Sequence, residues 1–147
     1  MEAPTRPFIL VKDGERLNSL LCEIADAKIV ALDTEFTRRK TYFPILSLLQ
    51  LCCGKEAYLI DAQSLDIAPL LEFLRKPELL KIFHAGQQDM EIISDFGTQR
   101  LSGIRDTQVA AMFCGYKHQI GLEDITRELL GIDLQKEETV SDWSARP

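Results

Sequence analysis

The sequence predicts an α/β domain in which a mixed β-sheet is flanked by helices. Strand-like segments dominate the chain up to residue 61, and helical and strand-like segments alternate beyond it. Short connections favour antiparallel pairing among the early strands, and the later alternation adds βα units to the same sheet. A length of 147 residues suits one hydrophobic core, so we expect a single domain over residues 1–147.

The first half of the chain contains a predicted helix and three predicted strands. Asp13 is a suitable N-cap for the helix. The apolar residues of that helix recur at the spacing of one helix face: Leu17, Leu20, Leu21 and Ile24. We predict strands in KIVALDTEF, ILSLLQLCC and EAYLIDA, the last two forming a hairpin. The run IVAL lacks alternation, which indicates a central strand covered on both faces.

In the second half, helices alternate with short strands. A helix with an apolar stripe ends before Pro77, and LLKIF follows as a short buried strand. AGQQDMEIISDF is predicted to form the next helix. Asp106 then caps a further helix, and a last amphipathic helix ends at Gly131.

Composition excludes several classes of protein. Hydrophobic residues make up 46% of the chain and charged residues 27%, which are ordinary values for a globular protein. No apolar run is long enough to cross a bilayer, and the N-terminus MEAPTRP lacks a signal pattern, so we expect a cytoplasmic protein without a membrane partner. The four cysteines form no C-x-x-C pair, which favours buried, reduced thiols over a zinc or disulfide framework.

The net charge of −6 argues mildly against a large nucleic-acid surface. Carboxylates gathered around divalent cations would also make a chain look acidic, because bound metal offsets their charge. Arg38, Arg39 and Lys40 form a short basic run, which is either a solvated surface or a contact to a phosphate backbone. Charge alone therefore leaves nucleic-acid binding open.

Two carboxylates, Asp33 and Glu35, end the strand IVALDTEF. Side chains two residues apart on a strand share a face, so the two charges project the same way and repel each other. Two interpretations remain open at this point. Either the strand emerges from the sheet and both groups are solvated, or a cation lies between them.

A third carboxylate, Asp89, lies where helical periodicity calls for an apolar residue. Ile92, Ile93 and Phe96 lie three, four and seven residues further along the same predicted helix. A buried carboxylate needs a partner, whereas a carboxylate in a first helical turn is also favoured by the helix dipole. Both interpretations stay open. His84, just before this helix, is by itself more often a structural residue than a ligand.

Four segments together resemble ribonuclease D and its relatives, 3′→5′ exonucleases of the DEDD superfamily with a ribonuclease H-like fold. They are VALDTEFTRRKTYFPILSLLQL, FHAGQQDMEII, DTQVAAMF and SDWSARP, and they span nearly the whole chain. The resemblance implies metal-dependent hydrolysis of phosphodiester bonds at the 3′ ends of single-stranded RNA, as in the processing of tRNA and other structured RNAs.

The resemblance also implies roles for individual residues. Asp33 and Glu35 match the first motif and Asp89 the second, all three being ligands of a pair of Mg²⁺ or Mn²⁺ ions. Asp33 would bridge both ions, Glu35 would hold the ion that activates water, and Asp89 would hold the other. His84 and the main chain around Thr34 and Phe36 would line the pocket for the terminal nucleotide, with Phe36 stacking on a base.

The third motif of the family is missing from the sequence. It is a tyrosine followed four residues later by an aspartate, on a helix downstream of SDWSARP, and neither Tyr58 nor Tyr116 is followed by such an aspartate. The resemblance thus implies a C-terminally incomplete domain that lacks its last helix and one metal ligand. We expect weak or no activity from residues 1–147 alone, and self-association through the surface that this helix would cover.

Two alternatives to this function remain. One is a non-catalytic module with an exonuclease-like fold that binds RNA or a protein, and the three retained carboxylates argue against it. The other is a DNA-directed exonuclease of the same superfamily. The ribonuclease D-like motifs favour RNA, although no residue of the sequence reveals recognition of a 2′-hydroxyl.

Overall fold

The computed structural model describes residues 7–37, 44–95 and 100–134, which form a six-stranded mixed sheet and five helices. The strands are β1 Phe8–Val11, β2 Ile29–Thr37, β3 Ile45–Cys53, β4 Glu56–Asp61, β5 Leu80–Phe83 and β6 Ile104–Asp106. The helices are α1 Gly14–Glu23, α2 Ala68–Leu74, α3 Gln87–Asp95, α4 Thr107–Phe113 and α5 Leu122–Leu130. The predicted α/β class, a mixed sheet flanked by helices, is confirmed.

The strand order in the sheet is β1-β4-β3-β2-β5-β6. β3 pairs antiparallel with both β2 and β4, so the predicted hairpin of β3 and β4 is confirmed. The pairs β1–β4, β2–β5 and β5–β6 are parallel. Parallel neighbours need a crossover, and α3 supplies it between β5 and β6. This topology brings the C-terminal end of β2, with its two carboxylates, close to the start of α3.

Local sequence signals decide most helix ends. Asp13 caps α1, since its side chain accepts a hydrogen bond of 2.8 Å from the backbone N–H of Arg16. α5 ends at Gly131, whose φ of 65° is a left-handed conformation that glycine adopts without steric cost. α3 begins at Gln87 rather than at Ala85 as predicted, because Ala85 has a φ of 58° and cannot continue a right-handed helix.

Among the described residues, the sheet is packed on one face and open on the other. Val30 and Leu32 of β2 are buried in the hydrophobic core, whereas Ile29 is 54% exposed and Ala31 is also exposed. The expectation that this central strand is covered on both faces is therefore wrong within the described residues. The described helices leave a groove over one face, and an apolar run cannot show how many faces the tertiary structure covers.

One buried charge joins the segments that precede β5 and β6. Lys81 of β5 is fully buried, and its ammonium group donates hydrogen bonds to the backbone carbonyls of Lys76, Leu79 and Ser102 at 2.7, 2.8 and 2.8 Å. Burial lowers the pKa of Lys81. The three carbonyl oxygens replace the hydrogen bonds to water that the ammonium group loses on burial.

The four cysteine thiols are free. Cys22, Cys52 and Cys114 are exposed, so the expectation of buried thiols is wrong for these three. Cys52 is exposed because it lies beside Ala31 on the open face of the sheet. None of the described helices, of which α1 with 10 residues is the longest, has the length and apolar character needed to cross a membrane.

Candidate active site

The first two carboxylates lie near the C-terminal end of β2. Asp33 is exposed on the open face, opposite Gln50 of β3, whose side-chain amide donates a hydrogen bond of 3.3 Å to Oδ2 of Asp33. Glu35 is half-buried. The pairing register of β2 and β3 shifts between Glu35 and Phe36, an irregularity of the kind that re-aims side chains near functional sites.

The third carboxylate is held at the start of α3. Asp89 is only 9% exposed, and Ile92 and Ile93 are buried on the same side of α3, so its predicted place on the core-facing stripe is confirmed. Its partner is Thr34. The backbone N–H and the hydroxyl of Thr34 both donate to Oδ1 of Asp89, at 2.9 and 2.5 Å.

The three carboxylates influence one another electrostatically. Burial, together with the charges of Asp33 and Asp89, raises the pKa of Glu35 to about 7. Although Asp33 is exposed, partial desolvation by neighbouring groups and the charge of Asp89 likewise raise its pKa. Within the described residues, no lysine, arginine or histidine forms an ion pair with any of the three. A cation at this position would therefore offset a repulsion that the described protein groups leave in place.

The donor chemistry of this cluster fits a divalent cation. Carboxylate oxygens are the ligands that Mg²⁺ and Mn²⁺ prefer, and a bound ion would lower the raised pKa values of Asp33 and Glu35. In the described part of the chain, no three His, Cys, Asp or Glu side chains are placed to hold one ion together. Asp33, Glu35 and Asp89 as a shared ligand set thus stay a prediction.

A groove of about 570 Å³ covers the open face of the sheet beside Asp33. Its walls are mainly apolar, and Asp33, Gln50, His84 and Thr107 supply polar groups. Glu35 and Asp89 do not line it. Such a groove can accept an elongated ligand with Asp33 at its wall.

His84 connects three elements at this groove. Its Nε2 lies 2.9 Å from the carbonyl oxygen of Ile120, which only accepts, so Nε2 carries a proton and donates. Its Nδ1 lies 2.9 Å from the hydroxyl of Thr107 at the start of α4. These contacts support the structural role of His84, and its role toward a nucleotide stays a prediction.

The other residues assigned to a nucleotide pocket have partners within the fold. Thr34 is 6% exposed, and its N–H already binds Asp89. Phe36 is half-buried and packs against the hydrophobic core. Both pocket roles stay predictions. The basic run Arg38–Lys40 and the segment SDWSARP lie outside the described residues.

Sequence reasoning missed two polar residues of the site. Gln50 is the polar residue in the otherwise apolar run LLQL, and that contrast could have revealed a partner for Asp33. Asp106 was expected only to cap α4. Its carboxylate also accepts hydrogen bonds from the backbone N–H groups of Ala85 and Gly86, at 3.1 and 2.9 Å.

The sheet topology and the carboxylate cluster are compatible with a nuclease domain, and comparison with known proteins gives the family. Residues 8–147 match the family described as 3′-5′ exonuclease. The chain belongs to this family, whose chemistry implies dependence on divalent metal ions.

Among similar proteins, ribonuclease D of Acidiphilium cryptum is 42% identical over 142 residues, which are 95% of this chain and 36% of that protein. The chain therefore spans about a third of this relative's length. The crystal structure of Escherichia coli RNase D, described as an exoribonuclease involved in structured RNA processing, is 36% identical with a TM-score of 0.90. The match covers 97% of this chain and 38% of that one.

A third similar protein, with lower sequence identity, gives information about the fold alone. Trypanosoma brucei RNase D in complex with RNA U12 is 22% identical with a TM-score of 0.78, over 88% of this chain and 48% of that one. With the E. coli structure, it confirms the expected ribonuclease H-like fold. The resemblance to ribonuclease D is confirmed by the A. cryptum and E. coli proteins.

Proposed function

We propose that this chain is the catalytic domain of a metal-dependent 3′→5′ exoribonuclease acting on the 3′ ends of single-stranded RNA. The observation that carries the proposal is the cluster of Asp33, Glu35 and Asp89, whose mutual repulsion contributes to a pKa of about 7 at Glu35. The similarity to the E. coli exoribonuclease and to the RNA-bound T. brucei enzyme supports RNA as the substrate class. We infer that tRNA or other structured RNAs supply these 3′ ends.

In this proposal Asp33, Glu35 and Asp89 hold Mg²⁺ or Mn²⁺. When bound, such ions supply the activation of a water molecule and the stabilisation of the charge that develops on the leaving 3′ oxygen. The groove beside Asp33 receives the end of the RNA chain, with His84 in its wall. Phe36 stacks on a base without reading its identity.

Two further properties are part of the proposal. Residues 1–147 contain no tyrosine followed four residues later by an aspartate, so we expect weak activity from this chain on its own. We also propose self-association through exposed apolar side chains, which include Phe8 at 61% and Leu10 at 48% exposure. A cytoplasmic location stays a prediction.

Substitution of Asp33 tests the activity directly. The purified chain, in excess over 5′-labelled single-stranded RNA, should shorten the RNA slowly from its 3′ end in the presence of Mg²⁺ or Mn²⁺. Asp33→Asn keeps the size of the side chain but removes its charge, so it should abolish the shortening, as should a chelator. Asp26→Asn, which changes an exposed carboxylate in the turn after α1, is the matched control and should leave the rate unchanged.

Shortening that survives Asp33→Asn would contradict the proposal. RNA binding of equal affinity in both variants, without any shortening at any metal concentration, would favour the non-catalytic binding module instead.

A further inference from the structure

In the contact between Thr34 and Asp89, two donors of one residue meet a single carboxylate oxygen. The N–H and the hydroxyl of Thr34 both bind Oδ1, and the two residues lie 55 positions apart in the sequence. Both are nearly buried, at 6% and 9% exposure. A contact shielded from water in this way orients a carboxylate far better than a contact on the surface.

The second oxygen of Asp89 is in a different situation. Among the described residues, Oδ2 of Asp89 has no hydrogen-bond donor, and no buried side-chain oxygen or nitrogen of that part lacks a partner. Oδ2 is therefore not completely sealed from solvent, whereas Oδ1 is engaged by both donors of Thr34. The carboxylate presents one oxygen to whatever binds in the site.

We propose that Thr34 is a positioning residue that prepares Asp89 to bind a divalent cation through Oδ2. This inference rests on the proposed function, and it gives Thr34 a different role from lining a nucleotide pocket. The β-branched side chain of threonine is stiff on a strand, so its hydroxyl is held in place before any ion arrives. Partners that fix a metal ligand in this way commonly account for a 10–100-fold difference in metal affinity.

Manganese binding by the 147-residue chain tests the proposal without any measurement of activity. Free Mn²⁺ is followed by electron paramagnetic resonance during a titration, and thermal unfolding without metal reports on the fold. Thr34→Val keeps the branched shape and the N–H but removes the hydroxyl, and should weaken Mn²⁺ binding about 10-fold. Thr34→Ser keeps both donors and should restore most of the affinity. Thr126→Val, at a half-buried position of α5, is the matched control and should leave the affinity unchanged.

A double-mutant cycle shows whether Thr34 acts through Asp89. In an Asp89→Asn background, Thr34→Val should change the Mn²⁺ affinity less than about twofold, because the oriented ligand is already lost. An undiminished effect in that background would overturn the proposal. So would a folded Thr34→Val variant that binds Mn²⁺ as the unchanged chain does.

Two further comparisons keep the outcomes distinct. If Thr34→Val does not fold, Thr34→Ser must still bind Mn²⁺ more tightly than Thr34→Ala, and equal affinities would overturn the proposal. Asp33→Asn is titrated alongside. Unweakened binding by Asp33→Asn would reject the metal site and with it the proposed function, whereas weakened binding by Asp33→Asn with no effect of Thr34→Val would reject the role of Thr34 alone.

Discussion

At the scale of single residues, Glu35 couples the protonation of the site to the stability of the fold. Burial and the charges of Asp33 and Asp89 raise its pKa from 4.5 to about 7. Between these two pH values the folded chain binds more protons at Glu35 than the unfolded chain does. The free energy of unfolding contributed by Glu35 therefore falls as the pH rises through this window.

We predict that the metal-free chain is more stable to urea at pH 5 than at pH 8. Glu35 should contribute roughly 1 kcal/mol to the difference, a value reduced to allow for its partial exposure. Glutamine cannot ionise, so Glu35→Gln should show a smaller difference in stability between the two pH values. The difference that remains should come from Asp33, whose pKa is also raised. Equal pH dependence in the variant and the unchanged chain would show that Glu35 ionises normally.

At the scale of elements, Asp106 joins the start of α4 to the turn before α3. Its carboxylate accepts hydrogen bonds from Gln108 and Val109 of α4, and from Ala85 and Gly86 of the turn. Burial alone would raise the pKa of Asp106, but these four N–H donors lower it overall. Asp106, at the end of β6, thus helps to hold Ala85 in its left-handed conformation.

Replacing each of the two N-cap aspartates in turn should show how much Asp106 contributes beyond helix capping, through its hydrogen bonds to the turn before α3. Asp13→Ala removes a single capping bond and should lower the free energy of unfolding by about 1 kcal/mol. Asp106→Ala leaves four N–H groups without their acceptor and should lower it by about 2–3 kcal/mol. Urea denaturation measures both. Equal losses would mean that the bonds to the turn contribute nothing beyond capping.

The elements themselves were largely predictable, because the signals for them lie within a few residues of each other. Helical spacing and the caps Asp13, Asp106 and Gly131 located α1, α4 and α5. The start of α3 was placed too early. Nothing next to Ala85 in the sequence shows that Asp106, 21 positions away, holds it in a conformation that a helix excludes.

At the scale of the whole molecule, the open face of the sheet is one exposed apolar surface of the described part. Phe8 and Leu10 of the edge strand β1 pair with Ala57 and Leu59, which line the groove, so they lie on the same face. Burying such side chains against a second copy would be favourable by about 25 cal/mol for each Å² of apolar area.

We predict that the chain self-associates through this face in a concentration-dependent manner. Phe8→Ser and Leu10→Ser should each lower the average mass in sedimentation experiments, and should change the free energy of unfolding by less than about 0.5 kcal/mol because both side chains are exposed. Leu130→Ser, at a 66% exposed position of α5, is the comparison. Association that only Leu130→Ser disrupts would assign the contact to the helices instead.

Local patterns in the sequence were enough to predict the α/β class, four of the six strands in the described part, its five helices and the family, and they marked the three carboxylates as candidate ligands. The tertiary structure alone decided which groups meet: Thr34 with Asp89, and Lys81 with three backbone carbonyls. It also decided that one face of the sheet is open in the part of the chain that the structure describes. The two kinds of information differ in how far apart along the chain the interacting residues lie. Periodicity, caps and motifs act between neighbours in the chain, whereas contacts across 55 positions depend on how strands and helices pack.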